Sequence, residues 1–134
     1  MRRADASRKT KETQIELSLD LDGTGKAQID TGVGFFDHML ELFTVHGRLN
    51  VTLSCRGDLQ VDAHHTVEDV GIALGDCFRQ ALGDKKGIAR FADRLVPMDD
   101  VAALVAVDFS GRPALIFEET LSGRVGNFDM ELVE

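Results

Sequence analysis

Apolar and polar residues alternate strictly along Thr13-Gln14-Ile15-Glu16-Leu17-Ser18-Leu19-Asp20-Leu21, the period of a strand with one buried face. Asp22-Gly23 supplies a turn, and residues 26–29 are expected to return beside it as the partner strand. After Gly32-Val33-Gly34 the period lengthens. Phe36, Met39, Leu40 and Phe43 fall on one helical stripe, with Gly47 placed as its C′ residue. Leu49, Val51, Leu53 and Cys55 alternate again as a third strand, closed by Arg56-Gly57-Asp58. Val67, Val70, Leu74, Cys77, Phe78 and Ala81 then recur at spacings of three and four, an amphipathic helix centred near Leu74 and ending near Gly83-Asp84. The predicted order over residues 11–85 is β-β-α-β-α.

From Gly87-Ile88-Ala89-Arg90-Phe91 the pattern restarts. Residues 103–109 read as a strand, Ser110-Gly111-Arg112-Pro113 as a turn, and 114–117 as a returning strand. Asp108-x-x-Gly111 follows Asp20-x-x-Gly23 by 88 residues, and Val125-Gly126-Asn127-Phe128-Asp129 follows Val33-Gly34-Phe35-Phe36-Asp37 by 92. Two matches in the same order suggest an internal duplication. The expected protein is α+β, with two duplicated β-β-α-β-α halves, each a sheet backed by helices. The first half spans 11–85. The second, 86–134, is incomplete, stopping within its first helix, because the same offset carries His64 past the last residue.

Composition adds bounds to this picture. A chain of 134 residues with 43% apolar and 28% charged residues can bury a core without disulfide or metal staples. No apolar run is long enough to span a membrane. Residues 1–10 read as a mobile basic arm, with no apolar segment behind it to make a secretory signal. Cys55 lies on a predicted strand and Cys77 on the apolar stripe, so buried reduced thiols are expected and a cytoplasmic location with them. A net charge of −8 argues against nucleic acid as a partner, although a few local arginines can still hold a small anion.

The chemistry concentrates in Asp62-Ala63-His64-His65-Thr66-Val67-Glu68. At about 100° per residue His64, His65 and Glu68 occupy an arc adjoining the apolar stripe. Two imidazoles and a carboxylate suit a borderline divalent metal. His64 and Glu68, four apart, can share one ion, while His65 points elsewhere, toward a second ion or a substrate. The competing reading is an ordinary solvated helix start, capped by Asp62 or Thr66. His38, beside Asp37, has a structural reading as well, and His46 can complement a helix dipole. Glu12 opens a strand. Arg90 and Arg112 stand on turns, where they could form a guanidinium fork for phosphate or carboxylate. No G-x-S-x-G elbow or glycine-rich nucleotide loop occurs, which leaves metal-assisted chemistry.

Gly-Val-Gly-Phe-Phe-Asp-His-Met-Leu at 32–40 and Asp-Ala-His-His-Thr-Val-Glu-Asp-Val-Gly at 62–71 resemble the imidazoleglycerol-phosphate dehydratases of histidine biosynthesis. So do the segments 8–13, 86–91, 96–99 and 108–113, which extends the resemblance over nearly the whole chain. Ala63 departs from the family, many members of which carry aspartate there. The resemblance implies the ribosomal protein S5 domain 2-like fold and dehydration of D-erythro-imidazole-glycerol phosphate to imidazole-acetol phosphate. It implies two Mn2+ ions per complete site, with His38, His64, His65 and Glu68 in the metal-binding positions. It places Glu12, His46, Arg90 and Arg112 along the substrate, the arginines near its phosphate, with His38, His64, His65 and Glu68 also meeting the substrate. Catalysis would fall to Glu12, His65 and Glu68. The substrate ring would bind as an imidazolate and lose hydroxide through a diazafulvene-like intermediate, and Glu12 or a metal-bound water would move protons. The resemblance also implies a homo-oligomer whose sites are shared between subunits. Two rivals remain at this point: a catalytically silent truncated fragment that keeps only half of the metal ligands, and a metallohydrolase built on the same ligands.

Overall fold

The computed structural model describes residues 1–118 and 121–134, in two compact units. One comprises Met1–Gly83 with residues 121–134; the other is Asp84–Glu118.

The first unit is a four-stranded sheet with two helices. Its strands are β1 (Arg3–Lys9), β2 (Thr13–Asp20), β3 (Lys26–Asp30) and β4 (Asn50–Gly57), and its helices α1 (Gly34–Gly47) and α2 (His64–Leu82). The spatial order is β1-β2-β4-β3. Alternation works as the sequence pattern requires: Ile15, Leu17 and Leu19 of β2 and Val51, Leu53 and Cys55 of β4 are buried beneath Val70, Ala73, Cys77 and Ala81 of α2. Gln14, Glu16, Ser18, Thr52, Ser54 and Arg56 stand on the opposite, exposed face.

Four expectations need correction. Residues 1–10 are not a mobile arm, because Arg3–Lys9 pairs antiparallel with β2 along its length. Charge pairing fixes it: Arg2 meets Asp22, Arg3 meets Asp20 and Arg8 meets Asp69. Nor does β3 return beside β2. Both edges of β2 are taken, so β3 lies parallel to β4 on its far side, with α1 as the crossover that parallel neighbours need. Gly47 remains helical, and Arg48 adopts the left-handed conformation (φ 53°, ψ 32°) that ends α1. The buried stripe of α2 runs through Thr66, Asp69, Val70, Ala73, Cys77 and Ala81, centred on Ala73 rather than Leu74.

Gly57 ends β4 against the start of α2. A Cβ there would collide with the Thr66 hydroxyl, which is buried without a hydrogen-bond partner among the described residues and has the weak Cys55 thiol beside it. Gly57→Ala should therefore cost about 1–3 kcal/mol by overpacking. Adding Thr66→Ala should recover most of that loss in a denaturant titration; equal stability of Gly57→Ala and wild type would show that the contact is slack.

In the second unit, β5 (Phe91–Met98) and β6 (Val101–Asp108) form an antiparallel hairpin whose residues are all exposed. The predicted strand at 103–109 is thus present as 101–108, but its partner precedes it. The expected returning strand at 114–117 is irregular. The segment 125–132, matched by sequence to the start of α1, does not repeat that helix. Gly126 (φ 60°) and Asn127 make a two-residue, glycine-first turn between β7 (Arg124–Val125) and β8 (Phe128–Asp129), followed by a short 3-10 turn over Met130–Val133. This segment belongs to the first unit, where the Phe128 ring meets Phe35 and Phe36.

Candidate functional site

The start of α2 carries the densest chemistry. Asp62 accepts the His64 backbone N–H at 2.8 Å, which fixes the first turn of the helix. The stripe that buries Thr66, Asp69 and Val70 turns His64 and Glu68 outward, and both are exposed. The His64 and His65 rings lie 6.4 Å apart between centroids, at 78° to each other. Adjacent helical residues cannot face the same way, so the two imidazoles serve different directions. His64 and Glu68 line one wall of an apolar cavity of about 930 Å³, with Phe35, Phe36 and Met39 of α1 across it.

His65 is the more constrained ring. Its Nδ1 lies 2.9 Å from Asp58 Oδ2 and 3.2 Å from Oδ1. The hydrogen bond with Asp58 raises its pKa above the ordinary histidine value, against some desolvation and with weaker help from Glu12 and Asp62. Glu12 lies in the turn between β1 and β2.

The turn itself is tied to α2 by a buried network. The Thr10 hydroxyl accepts the backbone N–H groups of Glu12 and Thr13, at 3.1 and 2.9 Å. Asp69 accepts from Thr13 Oγ1 at 2.5 Å, Arg8 Nε at 2.9 Å and Thr10 Oγ1 at 3.4 Å. Burial pushes the Asp69 carboxyl up, but the Thr13 and Arg8 hydrogen bonds and the Arg8 charge outweigh it and hold the pKa below the usual carboxylate range. Asp69 thereby ties the segment bearing Glu12 to the helix bearing His64, His65 and Glu68.

The remaining candidates lie on other elements. His38 is exposed on α1, where Asp37 is engaged by the Thr31 N–H and hydroxyl. His46 is exposed in the last turn of α1. Arg90, in the second unit, is engaged by Asp108 at 2.7 and 3.2 Å and lies 4.9 Å over the Phe91 ring. Arg112 sits on the turn after β6, its backbone N–H given to Ser110 Oγ at 3.1 Å. Among the described residues no three His, Cys, Asp or Glu side chains close on a common metal position. The donor set is nevertheless right for a borderline divalent ion: exposed imidazole and carboxylate four apart, and a second imidazole whose other nitrogen is oriented by a carboxylate. Both cysteines are buried, and burial raises both thiols, which keeps them protonated and unreactive.

Residues 31–134 match the model of the imidazoleglycerol-phosphate dehydratase family. The chain belongs to that family. The dehydratase of Methylorubrum extorquens is 58% identical over 134 residues, which cover 99% of this chain and 69% of the relative. That of Acetivibrio thermocellus is 55% identical with the same coverage. The crystal structure of the Staphylococcus aureus dehydratase superposes with a TM-score of 0.85 at 40% identity, covering 98% of this chain and 72% of that one. The Pyrococcus furiosus dehydratase, crystallised with (S)-C348, gives 0.78 at 32% identity, covering 96% and 68%. Among the described residues, no helix is long and apolar enough to cross a membrane.

Two residues of this cluster escape a reading of the sequence alone. Asp58 is a lone acid in a turn, without a spacing that links it to His65. Asp69 sits among apolar residues, and its burial within the α2 stripe was the available signal: a carboxylate there needs partners.

Proposed function

We propose that the chain catalyses the dehydration of D-erythro-imidazole-glycerol phosphate to imidazole-acetol phosphate. The observation that carries this reading is identity of 58% to a dehydratase across 99% of the chain. The cluster of exposed His64 and Glu68 with half-buried His65 at one helix start supports it.

His64 with Glu68, and separately His65, would hold the Mn2+ ions, with His38 contributing from α1. Bound there, the ions would supply Lewis-acid withdrawal of charge from the substrate's imidazole ring, which otherwise offers no acidic C–H. The residues of the chain do the rest. Asp58 keeps the His65 ring turned, and the Asp69 network ties the turn bearing Glu12 to α2. The Glu12 carboxylate is proposed to take a proton from one substrate carbon as hydroxide leaves the carbon beside it, and to return a proton to the resulting enol. His46, Arg90 and Arg112 are proposed along the glycerol phosphate. For Arg90 this requires exchange of Asp108 for a phosphate, a comparable bidentate partner.

Among the described residues no three donors converge, and sites completed between copies in a metal-dependent homo-oligomer are proposed. The substrate is a small phosphorylated imidazole; neither nucleic acid nor membrane is a proposed partner, and the proposed location is the cytoplasm. Incubation with substrate and Mn2+ should yield imidazole-acetol phosphate, detected as the enolised ketone in alkali. Loss of the product on chelation and its return on Mn2+ addition are expected. Turnover indifferent to chelator would overturn the metal assignment, and release of inorganic phosphate instead would favour a metallohydrolase.

A further inference from the structure

Carboxylate oxygens only accept hydrogen bonds, so an Asp58 carboxylate facing His65 Nδ1 requires the hydrogen to be on that nitrogen. In the neutral ring the lone pair is then left on Nε2. Asp58 is well placed to impose this. It directly follows the end of β4, its carbonyl accepts the Val61 N–H at 2.8 Å, and its side chain is 18% exposed against 43% for the ring. The close approach of Gly57 to Thr66 fixes the strand end to the helix, each of the two being the chain neighbour of one member of the pair. His64 has no such acid: Asp62 takes its backbone N–H, and among the described residues its ring has no hydrogen-bond partner.

We propose that Asp58 is a positioning residue, setting the tautomer and ring orientation of His65 so that Nε2 is the nitrogen offered outward as a donor. The inference concerns how the ring is held; its use in metal binding rests on the function proposed above. A carboxylate behind a ligating imidazole fixes the ring and raises its basicity, and its removal typically weakens metal binding about 10–100-fold.

The test has two arms on the full chain. In metal-free protein at a pH where the ring is neutral, long-range 1H–15N spectra should show His65 protonated at Nδ1. In Asp58→Ala the proton should redistribute toward Nε2, with the His64 signals unmoved. A His65 signal unchanged between wild type and Asp58→Ala would overturn the inference whatever the metal does. In Mn2+ titrations followed by the signal of the free ion, Asp58→Ala should bind about 10–100-fold more weakly and Asp58→Glu should recover part of the loss. Metal-free melting should stay within about 2 °C of wild type, because an exposed ring contributes little to folding. Equal Mn2+ affinity in wild type and Asp58→Ala would refute the positioning role. If neither protein takes up Mn2+, the metal-site reading falls, and the tautomer arm decides the inference alone.

Discussion

Asp69→Asn should lower the melting temperature by about 10–20 °C and flatten the acid limb of the stability curve. Asp69 is 8% exposed and takes hydrogen bonds from Arg8, Thr10 and Thr13. An amide in its place turns one acceptor oxygen into a donor, which faces either the Thr13 hydroxyl or the Arg8 guanidinium. Removing one partner of a buried, hydrogen-bonded charge costs about 3–5 kcal/mol. Arg8 is 37% exposed, and water can rehydrate it, so about 2–3 kcal/mol is the expected loss. For a folding unit of this size, each kcal/mol moves the midpoint by about 4–8 °C.

The pH dependence has a definite sign. The folded carboxyl is held below its ordinary value, so its stabilisation is present above about pH 4 and is lost as pH falls through the folded pKa. Wild type should lose stability through that acid range, and the variant should lack this component. A variant melting within about 2 °C of wild type would mean that the network does not secure β1 and the Glu12 turn to α2.

His65→Ala should reduce Mn2+ uptake and lower kcat/KM by about 10³-fold, while leaving the far-ultraviolet spectrum unchanged. The ring lies on the outer side of α2 and contributes nothing to the buried stripe, so truncating it leaves the helix intact. A metal ion polarising a substrate is worth several kcal/mol of transition-state stabilisation, and each 1.36 kcal/mol is tenfold in rate. His64→Ala should give a similar loss, whereas His46→Ala, at a position proposed to lie along the substrate, should raise KM more than it lowers kcat. Unchanged metal stoichiometry in His65→Ala, measured by elemental analysis of the purified protein, would remove the imidazole from the site.

Periodicity made β2, β4 and α2 legible, because each turns an apolar stripe to the core at its own repeat and nothing local competes. The same logic failed on β1. Its inward positions are Ala4, Ala6 and Arg8, two too small and one charged, so no apolar alternation stands out against Arg3, Asp5, Ser7 and Lys9. The place of β3 was hidden for another reason: a turn signal predicts that a strand returns, but not which edge remains free once β1 has taken the nearer one. Residues 125–132 misled because Val-Gly-x-Phe-Asp suits both a helix start and a glycine-first hairpin. The histidines and Glu68 could be read from spacing on one helix. Asp58 and Asp69 act through partners 7 and 61 residues away, and only folding brings such pairs together.

The pairing of Arg3–Lys9 along β2 also bears on how the molecule is handled at the bench. Trimming residues 1–9 to tidy a preparation would strip away a sheet margin and the guanidinium that anchors the helix. A cleavable leader is better spliced ahead of Met1 than substituted for the opening strand.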